Sequence, residues 1–211
     1  MRDLPPGATG LLAGAIGYTL GVCALAGPHD MALPTPCADW NLAMLLAHLS
    51  ASMADLETAI RAGALDLERP PDDAVGDPVE TLRDRAAQLL WAAYGYDDPG
   101  RFVAVSGLPV PVGLVACTGA VEIAVHGWDV SAARGGAGCA GARPIEPIDP
   151  IPPALATRML QLCPLLVAGR EGLFAGPVEV PAQASPGDKL VAFLGRDPGT
   201  LPRGPALVTG E

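Results

Sequence analysis

The stretch VEIAVHGWD at residues 121–129 decides the fold prediction, because it reads as a buried helix with two polar side chains on one face. Glu122 and His126 are four residues apart, and side chains with that spacing stack on the same side of an α-helix. The valine, isoleucine and alanine residues around them would bury this helix on more than one side. A carboxylate and an imidazole inside a helix bundle need a partner, and a divalent cation is one such partner.

The composition favours an all-α fold. Half of the 211 residues are hydrophobic but only 4% are aromatic, so the core is built from alanine, leucine and valine. Alanine and leucine are strong helix formers. Glycine and proline are abundant and cluster between the periodic segments, where they separate helices from one another.

Charge and cysteine content narrow the class of protein. A net charge of −10 would repel phosphate backbones, which argues against nucleic-acid binding. The five cysteines include no C-x-x-C pair, which indicates reduced thiols in a cytoplasm. The apolar run Leu11–Gly27 lacks a net positive segment before it and is short for a membrane span, so we expect neither export nor membrane insertion.

Apolar periodicity and capping signals predict a metal-binding four-helix bundle over residues 1–135. Asp39 and Asp77 are the expected caps of the second and third helices, and Gly135-Gly136 closes the fourth. A short extended piece is expected at Arg101–Val105. The four helices are expected at about 6–26, 39–61, 78–94 and 111–135.

Residues 136–211 are predicted to form a C-terminal extension that packs on the bundle. A Gly/Pro-rich linker at 136–150 should lead to a fifth helix at about 153–170. A short extended segment at 173–181 and a last helix at 185–194 should follow. Strands are therefore expected to be few, at most one short pair.

His48 lies beside the apolar stripe of the second helix and supplies a third candidate metal ligand. Two histidines and one carboxylate from separate helices suit zinc, and also nickel or iron. Three protein ligands leave a coordination position for water or substrate, which is typical of a catalytic site. The alternatives are a hydrogen-bonded core histidine at position 48 and a simple i, i+4 polar pair of Glu122 with His126.

Other polar groups near this set have candidate roles. Asp129, three residues after His126, is interpreted as an acceptor that orients the imidazole ring. The alternatives for Asp129 are an ion pair with Arg134 or service as a substitute ligand. A packing role is favoured for Trp128 over stacking on a substrate. The candidate lining of a substrate pocket consists of Met44, Ser52, Trp128 and Arg134.

No catalytic residue is predicted beyond the metal site. Cys37 and Cys117 have no histidine neighbour in the sequence, which disfavours a cysteine nucleophile. His29 is expected in a loop without a chemical role. The glycine-rich run at 135–138 follows a helix and not a strand, so it does not predict a phosphate loop.

Three motifs carry a resemblance to a known family. Pro36-Cys37-Ala38-Asp39-Trp40, followed by Leu45-Leu46-Ala47-His48-Leu49, resembles the second-helix signature of the mycothiol-dependent maleylpyruvate isomerase N-terminal domain. That domain belongs to the DinB-like superfamily of metal-binding four-helix bundles. Residues 122–129 resemble its fourth-helix signature, and LVAFLGRDP at 190–198 resembles the ending of a group of actinobacterial metal-binding relatives.

The resemblance implies a site and a cellular setting. His48, Glu122 and His126 fall at the three positions where the family holds its metal. The expected setting is an actinobacterial cytoplasm, in which mycothiol is the abundant small thiol. The larger C-terminal domain of the isomerase is replaced here by a helix, a short extended piece and a final helix.

Three functions are carried forward from these observations. The first is a metal-dependent thiol transferase or isomerase that activates a small thiol, with mycothiol as the expected co-substrate, toward an electrophilic small molecule. The second is a thiol-independent enzyme that uses the metal as a Lewis acid, such as a cyclase, lyase, isomerase or hydrolase in a biosynthetic pathway. The third is a non-enzymatic metal-binding stress or regulatory protein. A monomer or a homodimer is expected.

Overall fold

The computed structural model describes residues 7–37, 39–65, 76–95, 100–136, 150–166 and 175–199. Within them the chain forms six α-helices and one small sheet, which confirms the predicted all-α class. The helices are α1 (Ala8–Cys23), α2 (Leu42–Ala62), α3 (Pro78–Tyr94), α4 (Val112–Gly136), α5 (Pro153–Leu166) and α6 (Pro186–Phe193). The strands are β1 (Ala64–Leu65), β2 (Phe102–Val105) and β3 (Leu108–Pro111), and a short 3-10 helix covers Pro28–Asp30.

Helices α1 to α4 pack around a common hydrophobic core. Helix α1 lies mainly against α4, while α2 lies against both α3 and α4. The predicted apolar stripe of α2 is confirmed, since every member of it is buried. The stripe consists of Leu42, Leu45, Leu46, Leu49, Met53, Leu56 and Ile60. The pairing of α2 with α4 brings His48 to the helix that carries Glu122 and His126.

The start of α2 differs from the prediction. Asn41, and not Asp39, caps the helix, and its side chain accepts a hydrogen bond from the Met44 backbone N–H at 2.9 Å. Asp39 instead has a left-handed backbone (φ 67°). The chain turns there because Pro34 and Asn41 form a β-bridge, which places the first helical turn after Asn41. The predicted cap at Asp77 is confirmed, with hydrogen bonds from the Val79 and Glu80 N–H groups.

The sheet has three strands, one more than the predicted maximum. The expected extended piece is β2, and it pairs antiparallel with β3 and parallel with β1. Ser106 (φ 48°) and Gly107 (φ 81°) form the two-residue turn between β2 and β3. Two successive positive φ values match the twist of a tight hairpin, and this Ser-Gly signal was missed. Pro111 ends β3, so α4 begins one residue later than predicted.

The C-terminal part agrees with its predicted helices but not with its predicted strand. Helix α5 contacts α1 and α4 and packs on α6. No strand forms in the described part of the expected 173–181 segment, residues 175–181. The Val178 N–H there bonds the Ala192 carbonyl at the end of α6 at 2.9 Å, so a helix end takes the place of a partner strand. The remainder of the predicted fifth helix, residues 167–170, lies outside the described residues, and the division near residue 136 stays a prediction.

Two further predictions concern the cysteines and membrane insertion. Four of the five cysteines lie in described segments, and all four are free thiols: Cys23, Cys37, Cys117 and Cys163. Among the described helices, none combines the length and the apolar character that crossing a bilayer requires.

Gly127 sets the distance between α1 and α4, and its replacement should destabilise the fold. A Cβ atom at this position would lie 2.5 Å from Thr19 Oγ1 and 3.1 Å from Tyr18 Cε1. The Thr19 hydroxyl cannot simply turn aside, because it donates a hydrogen bond to the Ile123 carbonyl at 2.8 Å. Gly127→Ala gains about 1 kcal/mol of helix propensity but costs about 1–3 kcal/mol in overpacking and about 1 kcal/mol in the strained hydrogen bond. We expect a net loss of about 1–3 kcal/mol in the free energy of unfolding, measured by urea denaturation.

Gly17 provides the matched control for this prediction. It lies in α1 with nothing within 4 Å of the Cβ position, so Gly17→Ala meets no clash. The variant should gain about 0.5–1 kcal/mol from helix propensity alone. Equal effects of the two substitutions would show that helix α1 does not pack tightly on Gly127.

Candidate metal centre

The three predicted ligands converge between α2 and α4. One ligand atom from each of His48, Glu122 and His126 lies within 4.8 Å of the other two. His48 Nε2 is 3.2 Å from Glu122 Oε1, and the two imidazole ring centroids are 5.0 Å apart. The side chains of His48 and Glu122 are 35% and 32% exposed, so the cluster opens to solvent on one side. Two imidazoles and one carboxylate at this spacing are a donor set that fits zinc, nickel or iron.

Ser52 supports the carboxylate of this cluster. It lies one turn after His48 on α2, and its hydroxyl donates a hydrogen bond to Glu122 Oε1 at 2.8 Å. Burial by itself would raise the pKa of Glu122, but the hydrogen bond with His48, the electrostatic interaction with His126 and the Ser52 hydroxyl outweigh it and lower that pKa below its ordinary value. Glu122 is therefore an anion at neutral pH, as a metal ligand must be.

Asp129 contacts His126 as the spacing predicts. Its Oδ2 atom lies 2.9 Å from His126 Nδ1, and the carboxylate is fully buried. Since a carboxylate oxygen only accepts, Nδ1 carries the proton and Nε2 is the ring nitrogen that remains available to a metal. The structure thus has the contact needed for Asp129 to orient the ring.

The alternative partner proposed for Asp129 is wrong. Arg134 forms an ion pair with Asp30, with 3.7 Å between Nε and Oδ2. The cation beside Asp129 is Arg196, which follows α6 and lies 67 residues away in sequence. Burial opposes ionisation of Asp129, but the His126 hydrogen bond and the Arg196 charge together hold the pKa of that carboxyl below its usual range.

Cys37 lies in the same polar group and was not predicted as part of it. Its thiol donates to Asp129 Oδ2 at 3.3 Å and is 3.8 Å from His126 Nδ1. Burial and the Asp129 charge raise the pKa of Cys37 to about 12, so the thiol is protonated at neutral pH. Both Cys37 and Asp129 contact the same ring nitrogen, whereas a Cys–His–Asp triad uses one nitrogen for each partner. This geometry does not form a nucleophilic triad.

One ligand atom from each of Cys37, His126 and Asp129 also lies within 4.8 Å of the other two, so this group is a second candidate for a metal. A guanidinium already lies in this group, however, because Arg196 Nη2 is 2.9 Å from Asp129 Oδ2 and 3.6 Å from Cys37 Sγ. A metal cation here would meet the positive charge of Arg196 at close range. The open cluster of His48, Glu122 and His126 is the better candidate metal centre.

The indole ring of Trp40 lies beside the imidazole rings of His48 and His126. Its ring centroid lies 4.8 Å from that of His48 and 6.4 Å from that of His126. Trp40 comes from the same turn as Cys37, immediately before α2. The motif at residues 36–40 and the ending at 190–198 contain the three missed residues, Cys37, Trp40 and Arg196, so the resemblance was the signal that could have found them.

The predicted pocket residues lie in different surroundings. Ser52 contacts the ligand cluster, whereas Trp128 is 4% exposed and packs in the hydrophobic core. Met44 is half exposed near the start of α2, and Arg134 pairs with Asp30. A substrate-lining role for these four stays a prediction. His29 is exposed in the short 3-10 helix, 3.4 Å from Asp30.

Known proteins resemble this chain in sequence and in structure. Two uncharacterized proteins from two strains of Mycobacterium tuberculosis are 28% identical to this chain over 172 residues, which is 77% of this chain and 83% of each relative. A crystal structure of the mycothiol-dependent maleylpyruvate isomerase superposes with a TM-score of 0.47 at 14% identity. That superposition covers 58% of this chain and 59% of the isomerase chain. The sequence model of the mycothiol maleylpyruvate isomerase N-terminal domain matches residues 13–131, more than half of the chain, and the protein therefore belongs to that family.

Proposed function

We propose that this chain is a divalent-metal-dependent thiol transferase or isomerase that activates a small thiol toward an electrophilic small molecule. The observation that carries the proposal is the convergence of His48, Glu122 and His126 on one partly open cluster. The family to which the chain belongs takes its name from a mycothiol-using isomerase, which supports mycothiol as the co-substrate. A cytoplasmic location goes with this proposal, because the thiol co-substrate is a cytoplasmic molecule.

The metal that this donor set fits explains why a thiol is the proposed co-substrate. Zinc is the proposed metal, and nickel or iron would also accept two imidazoles and a carboxylate. When bound, a divalent cation lowers the pKa of a coordinated thiol well below its ordinary value of about 8.5, so that the nucleophilic thiolate is present at neutral pH.

The residues of the chain hold and shape the site. His48 and His126 would hold the cation as neutral imidazoles, and Glu122 would supply the one negative charge of the set. Ser52 restricts the Glu122 carboxylate by its 2.8 Å hydrogen bond. The Trp40 ring, 4.8 Å from the His48 ring, limits the space on one side of the imidazoles. It also offers an apolar surface to a bound substrate.

Thiol binding to the Co²⁺-loaded full chain tests the proposal. We expect N-acetylcysteine to produce a thiolate-to-cobalt charge-transfer absorption band and to release about one proton per chain at pH 7. The matched control is N-acetyl-S-methylcysteine, which has no ionisable thiol and should give neither signal. Cobalt binding without any thiol signal would contradict thiol activation and favour a Lewis-acid enzyme, and failure to bind cobalt at all would contradict the metal centre itself.

A further inference from the structure

Arg196 contacts Asp129, the partner of the candidate ligand His126, from outside the part of the chain that matches the family. The match ends at residue 131, whereas Arg196 follows α6. Its guanidinium makes two contacts with Asp129, Nη2 to Oδ2 at 2.9 Å and Nε to Oδ1 at 3.3 Å. Two parallel N–H groups on the two oxygens of one carboxylate fix its orientation, which a single point charge cannot do.

The position of Arg196 is itself well determined. Its Nη1 donates to the Leu194 carbonyl at 2.9 Å, and its backbone N–H donates to the Val191 carbonyl at 2.9 Å. Leu190, Val191 and Leu194 are buried in the main hydrophobic core, which anchors α6. Because the Leu194 and Val191 carbonyls fix the position of Arg196, its guanidinium can restrict the Asp129 side chain.

Asp129 in turn restricts the orientation of the candidate ligand His126. The carboxylate is fully buried, and its Oδ2 atom contacts both Arg196 and His126 Nδ1. Without Arg196, the buried carboxylate would lose the guanidinium that holds both of its oxygens, and only the Cys37 thiol and the His126 ring would restrain it. The ring of His126 would then lose the fixed position of the acceptor that selects its tautomer.

We propose that Arg196 is a positioning residue of the metal centre, which aligns Asp129 and thereby fixes the tautomer and orientation of His126. The inference rests on the proposed function, since it concerns the same metal site. It predicts that the C-terminal segment completes a site whose ligands all come from α2 and α4. Arg196 touches neither the metal nor the substrate in this role.

The affinity of the full chain for Zn²⁺, measured by competition with a chromophoric chelator, tests the role. Arg196→Gln should weaken Zn²⁺ binding about 10–100-fold, the range expected when a ligand histidine loses its outer partner. Arg196→Lys restores a charge but not the paired donors, so it should recover only part of this loss. Arg158→Gln is the matched control, because Arg158 is exposed and donates a hydrogen bond to the Gly7 carbonyl, outside the cluster. The Zn²⁺ affinity of this variant should equal that of the parent.

A double-mutant cycle separates positioning from general support of the fold. If Arg196 acts through Asp129, adding Arg196→Gln to Asp129→Asn should weaken Zn²⁺ binding by no more than about threefold beyond Asp129→Asn alone. The double variant also avoids a buried unpaired carboxylate, so it serves if Arg196→Gln alone does not fold. The Co²⁺ absorption spectrum of each variant reports the ligand geometry, which a purely structural role would leave unchanged.

The outcomes distinguish this inference from the function on which it rests. Parent-like affinity in Arg196→Gln, or losses that multiply in the double variant, would overturn the positioning role while the metal centre stands. A parent chain that binds no Zn²⁺ would overturn both.

Discussion

The His126→Ala variant is expected to bind Zn²⁺ at least about 100-fold more weakly than the parent chain, because losing a ligand costs more than losing the partner of a ligand. The two remaining side chains, His48 and Glu122, lie 3.2 Å apart and would form only an ion pair or hydrogen bond. Metal content of the purified chain and chelator competition measure the effect. The parent should retain close to one metal ion per chain.

His29→Ala is the control for this substitution. It makes the same chemical change at a histidine that is 85% exposed and lies beside Asp30, outside the cluster. Zn²⁺ affinity should be unchanged. Equal affinities of the His126→Ala variant and the parent would show that any bound metal lies elsewhere.

Zn²⁺ is also expected to stabilise the folded chain, and a chelator to reverse this without unfolding it. A ligand that binds only the native state at about 1,000 times its dissociation constant adds about 4 kcal/mol to the free energy of unfolding. Urea denaturation with and without metal measures the gain. Glu122→Gln should lose most of it, because the amide keeps an oxygen for the Ser52 hydrogen bond but removes the charge that the cation requires.

Glu57→Gln is the matched control on α2. Glu57 pairs with Arg61 at 3.3 Å on the surface, where an ion pair contributes less than about 1 kcal/mol. This variant should keep the full metal-dependent gain. If a chelator removes the metal from the parent only when the chain unfolds, the site is closed and structural, which would favour a non-enzymatic role.

The helices were predictable because their signals are local. The stripe on α2 repeats at the helical period, and the Asp77-Pro78 start of α3 contains its own cap. The cap of α2 was misassigned because the β-bridge of Pro34 with Asn41, which reorients the chain, is a contact between residues seven apart. The hairpin turn at Ser106-Gly107 was missed although its signal is local.

The candidate site was predictable only in part. Glu122 and His126 follow from their spacing on one helix, and His48 was a candidate from its place beside the apolar stripe of α2. Spacing within one helix says nothing about which other helix lies beside it, so the family resemblance was needed to group His48 with the other two. Arg196 could not be derived from spacing at all. Its contact with Asp129 depends on how α6 packs on the core, and 67 residues separate the two.

The sequence by itself determined the helical class, the apolar faces and the chemical types of the three candidate ligands, since these depend on periodicity and on side-chain chemistry. Only the tertiary structure decided which cation neutralises Asp129, which thiol and indole border the cluster, and that its ligand atoms come within 4.8 Å of one another. The physical reason is that buried charges are satisfied by whatever partner the packing of distant segments brings within reach, and many sequence positions offer the same chemical group.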